Sequence, residues 1–181
     1  MPIRDIRLFP DPVLREAALP VTQVDDDLRR LIADMGETMR AAPGIGLAAP
    51  QVGIQQRVLV YSLHEEEPIV ALVNPEIVER EGEETDFEGC LSIPGLSYEV
   101  TRAQRVVVKG LDEQGGVVKI DATDLEARVL QHEIDHLDGI LFIDRIDPEL
   151  RKEAMKQLRE AALGGRGVFG DGRPAQTSGK L

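Results

Sequence analysis

The stretch from about Thr123 to Gly139 constrains the fold more than any other part of this sequence. Thr123 and Glu126 have the spacing of a capping box, and Gly139 is a natural residue to follow a helix end. Between them Leu125, Val129, His132 and His136 recur at 4-3-4 spacing on one face, while Leu130, Ile134 and Leu137 share a second apolar face. A helix that is apolar on more than one side cannot lie on a surface, so the remaining chain has to be built around it.

What surrounds it is a mixture of helices and strands. From about Asp25 to Ala41, Leu28, Leu31, Ile32, Met35 and Met39 recur at helical spacing, and Asp25, Asp26 and Asp27 complement the positive end of the helix dipole. Pro43-Gly44-Ile45-Gly46 disfavours regular structure and leads into a β-rich middle. The runs 57–61, 69–73, 105–109 and 117–120 have the length and β-branched content of strands, with Asn74-Pro75 and Glu113-Gln114-Gly115-Gly116 read as the turns between them. Asp147-Pro148 signals a last helix, running to about Leu163 before Gly164-Gly165.

With 181 residues, 42% of them apolar, the chain is long enough for one core and too short for two full-sized domains. The expected division is a body over 1–147, a C-terminal helix of the same domain over 148–164, and a flexible Gly-rich tail over 165–181. No apolar stretch has the length of a membrane span, and Met1-Pro2-Ile3-Arg4-Asp5 lacks the apolar core of a signal peptide, so the expected location is the cytoplasm. Cys90 is the only cysteine; it cannot form an intramolecular disulfide, which leaves a reduced thiol available as a ligand. A net charge of −12 argues against general affinity for nucleic acid, and no specific DNA contact or membrane partner is expected. The charge is uneven, however. From Pro148 onward seven Lys or Arg face four acids, a net of +3 on a body of −15.

The chemistry concentrates in His132-Glu133-Ile134-Asp135-His136. Two imidazoles four residues apart on one helix face can reach one metal ion, and Glu133, directly after the first, stands beside the metal as a base for activated water. Cys90, in Glu88-Gly89-Cys90-Leu91-Ser92, is the candidate third ligand, since thiolate and imidazole both suit late first-row divalent metals. Three ligands without an evident fourth is the arithmetic of a catalytic site with an open position. His64 lies in the charged run His64-Glu65-Glu66-Glu67 and reads as surface. The segment Gly44-Ile45-Gly46-Leu47-Ala48-Ala49-Pro50-Gln51 can lie flat along a substrate, with Gln51 donating to a developing oxyanion.

Together these three segments, in this order and spacing, resemble the motifs of the peptide deformylase family over roughly residues 1–163. The resemblance implies an α+β fold, with antiparallel β-sheets packed around a central metal-binding helix and an N-terminal and a C-terminal helix outside it. It implies a hydrolase that removes the formyl group from N-formylmethionyl peptides and releases formate, using water activated by one divalent metal ion. Fe2+ is the implied native metal, with Zn2+, Ni2+ or Co2+ able to substitute. Cys90, His132 and His136 would bind it, Glu133 would serve as general base and then acid, and Gln51 and the Leu91 amide would steady the oxyanion. Gly44, Ile45, Gly46, Leu125 and Val129 would contact the substrate, while Glu88 paired with Arg102 would hold the cysteine segment in place. The basic helix after Pro148 resembles the extension with which bacterial deformylases dock on the ribosome near the nascent-chain exit. Two rivals stay open at the level of sequence: a zinc endopeptidase using the same helical motif, and a binding module with a structural metal, which needs a fourth protein ligand.

Overall fold

The computed structural model describes residues 2–164; the expected tail over 165–181 lies outside them. Three helices and seven strands follow one another as α1 Asp26–Ala41, β1 Gly46–Ala48, β2 Val58–Tyr61, β3 Val70–Glu81, β4 Glu84–Cys90, β5 Ile93–Arg102, β6 Arg105–Leu111, β7 Val117–Thr123, α2 Asp124–Leu137 and α3 Pro148–Gly164. All strand pairs are antiparallel. Five strands form one sheet in the order β1-β2-β3-β6-β7, and β4 and β5 form a separate hairpin. This is the expected α+β arrangement.

Alternation along β2 explains how the layers stack. Val58 and Val60 point to one face of the sheet, where they meet Leu28, Leu31, Ile32, Met35 and Met39 of α1. Leu59 and Tyr61 point to the other, against Ala127, Leu130, Ile134 and Leu137 of α2. The far side of α2 is covered by the β4–β5 hairpin. There Cys90, Ile93 and Val100 pack with Leu141, Phe142, Ile143, Ile146 and Ala154 in a third cluster. Every residue of α2 from Ala127 to Leu137 is buried, as its two apolar faces require.

Local signals place the helix ends well. Asp25 caps α1 by accepting from the Leu28 amide at 2.9 Å, and Asp147 accepts from the Glu149 amide at the start of α3. Gly139 follows α2 with φ +73°, a conformation that suits glycine. Two expectations need correction. The capping box at Thr123 does not form: Thr123 is the N-cap but its side chain makes no capping bond, and Glu126 accepts instead from the Tyr61 hydroxyl at 2.7 Å. Asn74-Pro75 is no turn between strands. β3 runs straight through it, with a register shift between Val73 and Glu76 that absorbs the missing proline N–H. Asn74, at φ +50°, turns its amide to bond both the backbone N–H and C=O of Val21.

Candidate metal centre

Two elements converge at the end of the β4–β5 hairpin. α2 presents His132 and His136 one turn apart on its buried face, and β4 ends on Cys90 directly opposite. One donor atom from each of Cys90, His132 and His136 lies within 4.8 Å of the other two, and the three residues are all buried. Cys90 Sγ stands 3.3 Å from His136 Nε2. His132 Nε2 is buried without a hydrogen-bond partner among the described residues. A thiol and two imidazoles aimed at a common point, one of them otherwise orphaned, fit a late first-row divalent cation. Among the described residues no fourth His, Cys, Asp or Glu joins the cluster, and His64 is exposed, as its charged run suggests.

The electrostatics point the same way. Burial pushes the His132 imidazole down, but the nearby Cys90 thiol and the Glu88 carboxylate at Nδ1 outweigh it and hold the ring up at about 10. The position thus attracts positive charge, and a cation at Nε2 can stand where the proton stands. His136 is driven well below its ordinary value, first by burial and then by the neighbouring His132, which leaves it neutral and ready to ligate.

Glu133 is fully buried and neither carboxylate oxygen has a hydrogen-bond partner among the described residues. Burial raises it from 4.5 to about 7, the range in which a carboxyl can both accept and return a proton near neutral pH. Its neighbour across the site is Gly46, where a Cβ would overlap Glu133 Oε1, so only glycine lets β1 approach this closely. A Cβ at Gly44 would come within 2.7 Å of Leu91 Cδ1, so the glycine segment also lies against the cysteine loop. Gln51 is buried in the turn after β1. Its Oε1 accepts from the Ala48 amide at 2.8 Å, which aims Nε2 at Ser92 Oγ (3.2 Å) and Cys90 Sγ (3.7 Å). The N-terminal segment ties these two loops together, the Arg7 amide donating to the Gln51 carbonyl and the Phe9 amide to that of Ser92.

Behind these three residues lies a buried ionic network. Arg102 donates to Glu88 through Nε at 2.8 Å and Nη2 at 3.0 Å, so the expected pair is present as a two-pronged contact. Glu88 Oε2 also lies 2.9 Å from His132 Nδ1, which fixes the ring so that Nε2 faces the centre. Strong bonding holds the Glu88 carboxyl far below its ordinary range despite burial. Sequence reasoning missed three members. Arg128 donates to Glu88, and Asp135 accepts from Arg102 at 2.6 Å and from Arg145 at 2.7 and 3.0 Å. A charged residue at a helical position flanked by buried ones was the available signal. Of the proposed substrate contacts, Val129 is buried on the histidine face, whereas Leu125, one turn earlier, is 42% exposed at the rim.

Residues 3–152 match the family model described as polypeptide deformylase. A peptide deformylase of Acidothermus cellulolyticus is 53% identical over 180 residues, which span 99% of each chain. One from Alkalilimnicola ehrlichii is 53% identical over 169 residues, 92% of this chain and 94% of that one. The crystal structure of a peptide deformylase from Legionella pneumophila superposes with a TM-score of 0.85 at 43% identity, over 92% of this chain and 99% of that one. That of the Ehrlichia chaffeensis enzyme in complex with actinonin gives 0.85 at 37% identity, over 90% and 99%.

Proposed function

The chain belongs to the polypeptide deformylase family, and on that premise we propose that it removes the formyl group from N-formylmethionyl nascent peptides in the cytoplasm, using one divalent metal held by Cys90, His132 and His136. The observation that carries this reading is the convergence of those three donors beside the Glu133 carboxylate, which has no hydrogen-bond partner among the described residues. When bound, the metal supplies Lewis acidity toward a nucleophilic water and toward the formyl oxygen. The donor set suits iron, zinc, nickel and cobalt alike, and Fe2+ is proposed as the native ion from the family resemblance.

The residues divide the remaining work. Glu133 takes the proton of the attacking water on one carboxylate oxygen and passes it to the departing nitrogen, so that formate and a free amine result. Gln51 Nε2 and the Leu91 amide donate to the oxyanion that forms as the formyl carbon becomes tetrahedral. β1 is an edge strand of its sheet, so Gly44, Ile45 and Gly46 can offer main-chain hydrogen bonds to a peptide laid alongside. Val129 and Leu125 would receive the methionine side chain.

α3 is proposed to dock on the ribosome. It packs on the body through buried Ala154 with Met155 and Leu158, which leaves Arg151, Lys152, Lys156 and Arg159 exposed. No helix among the described residues is long and apolar enough to cross a membrane.

The decisive assay follows formate release from formyl-Met-Ala-Ser by protein purified without oxygen, with metal analysis in parallel. Turnover proportional to bound metal is expected; a metal-loaded preparation that leaves the peptide formylated would refute the assignment.

A further inference from the structure

Arg128 stands one turn before His132 on α2 and is 3% exposed. Nη1 donates to Glu88 Oε1 at 2.9 Å and to the Val100 carbonyl at 2.8 Å, and Nη2 donates to the Glu84 carbonyl at 2.8 Å. One side chain on the helix that carries both histidines thus holds the hairpin that carries the cysteine at three points: the start of β4, the residue two before Cys90, and the return strand β5. The Glu88–Arg102 pair lies within the hairpin and cannot by itself fix the hairpin against the helix. Among the described residues Arg102 reaches α2 through Asp135, and Glu88 reaches it through His132 and Arg128. The planar guanidinium alone spans the three acceptors, which a single ammonium nitrogen cannot do.

We propose that Arg128 is a positioning residue of the metal centre, fixing the distance of Cys90 from His132 and His136 and thereby setting how tightly the site retains a divalent metal. The inference rests on the reading of those three residues as ligands. Losing an outer partner of a metal ligand typically weakens affinity by about 10–100-fold, and Arg128 acts on two ligands at once. It holds the carboxylate that orients His132 and the strand that ends in Cys90.

The test uses the full-length protein loaded with Co2+, whose near-ultraviolet thiolate band reports the Cys90 bond. The rate of Co2+ loss to a chelator and the band itself are compared in Arg128→Met, Arg128→Lys and Cys90→Ser. Arg4→Met, which removes an ion pair to Asp34 on α1, gives the effect of lost stability alone. Arg128→Met is expected to lose metal about 10–100-fold faster with a weakened or shifted band, and Arg128→Lys to recover only part of the difference. Arg4→Met is expected to lower thermal stability without speeding metal loss. If Arg128→Met does not fold, Arg128→Lys carries the same test, with loss at least about threefold faster. Co2+ retention within twofold of wild type in the folded Arg128 variants, with binding still dependent on Cys90, overturns this inference alone. Wild-type protein whose Co2+ binding ignores Cys90→Ser overturns the ligand assignment and this inference together.

Discussion

A carboxylate buried without a hydrogen-bond partner is costly to keep ionised, and among the described residues Glu133 carries that cost next to two proposed metal ligands. Because it is not itself proposed as a ligand, Glu133→Ala should retain metal by elemental analysis while formate release falls about a hundredfold or more. Folded protein that loses its metal would instead make Glu133 part of the donor set. The same residue predicts a pH dependence in chelator-treated protein. Its carboxyl is held at about 7 in the fold, against 4.5 in an ordinary setting. Between those values the folded chain binds a proton that the unfolded chain has released. The stabilising contribution is therefore full below pH 4.5 and is lost as pH rises through 7, by on the order of 1–3 kcal/mol. Glu133→Gln has no such proton to lose. Urea denaturation should show it gaining on wild type between pH 5 and pH 8, and parallel curves would mean the wild-type carboxyl stays near its ordinary value.

At the scale of elements, α3 offers a separation of roles, since the proposed catalytic residues all precede Pro148. Reversing Arg151, Lys152, Lys156 and Arg159 to Glu should weaken ribosome binding in a salt-dependent way and leave hydrolysis of a formylated tripeptide within about twofold. Undiminished co-sedimentation at low salt would leave α3 as structure only. Elements also show what the sequence makes legible. α1 and α2 can be read because their apolar spacing and the pairing of His132 with His136 are local patterns. The β4–β5 hairpin cannot, although it carries Cys90. Glu84, Thr85, Asp86, Phe87 and Glu88 show no apolar alternation, and Glu88 is buried only because Arg102 and Arg128 arrive from 14 and 40 residues away. Asn74-Pro75 misleads for a related reason: its turn signal is local, and what overrides it is pairing with β6 together with the contact to Val21. The three residues that converge, Cys90, His132 and His136, are thus readable from motifs, whereas the network around them depends on contacts no local window contains.

Over the whole molecule, the proposed ligands join parts whose apolar side chains fall in separate clusters, with Cys90 in one and the apolar residues of α2 in another. A metal that binds only the folded chain adds about 2.7 kcal/mol at a hundredfold excess over its Kd. For a domain of this size that is roughly 5–10 °C in Tm. Removing metal with a chelator should lower Tm by several degrees, a stoichiometric divalent ion should restore it, and Cys90→Ser should respond to neither; a Tm indifferent to chelation would argue that the centre adds nothing to the fold. The edge position of β1 has a consequence of another kind. A free edge pairs only with backbone that is extended and has no partner of its own, a state a chain terminus keeps only until its own domain closes around it. If nascent peptides pair with β1 as proposed, deformylation is a race: slow-folding chains stay within reach, and those whose first residues are quickly buried escape with the formyl group in place.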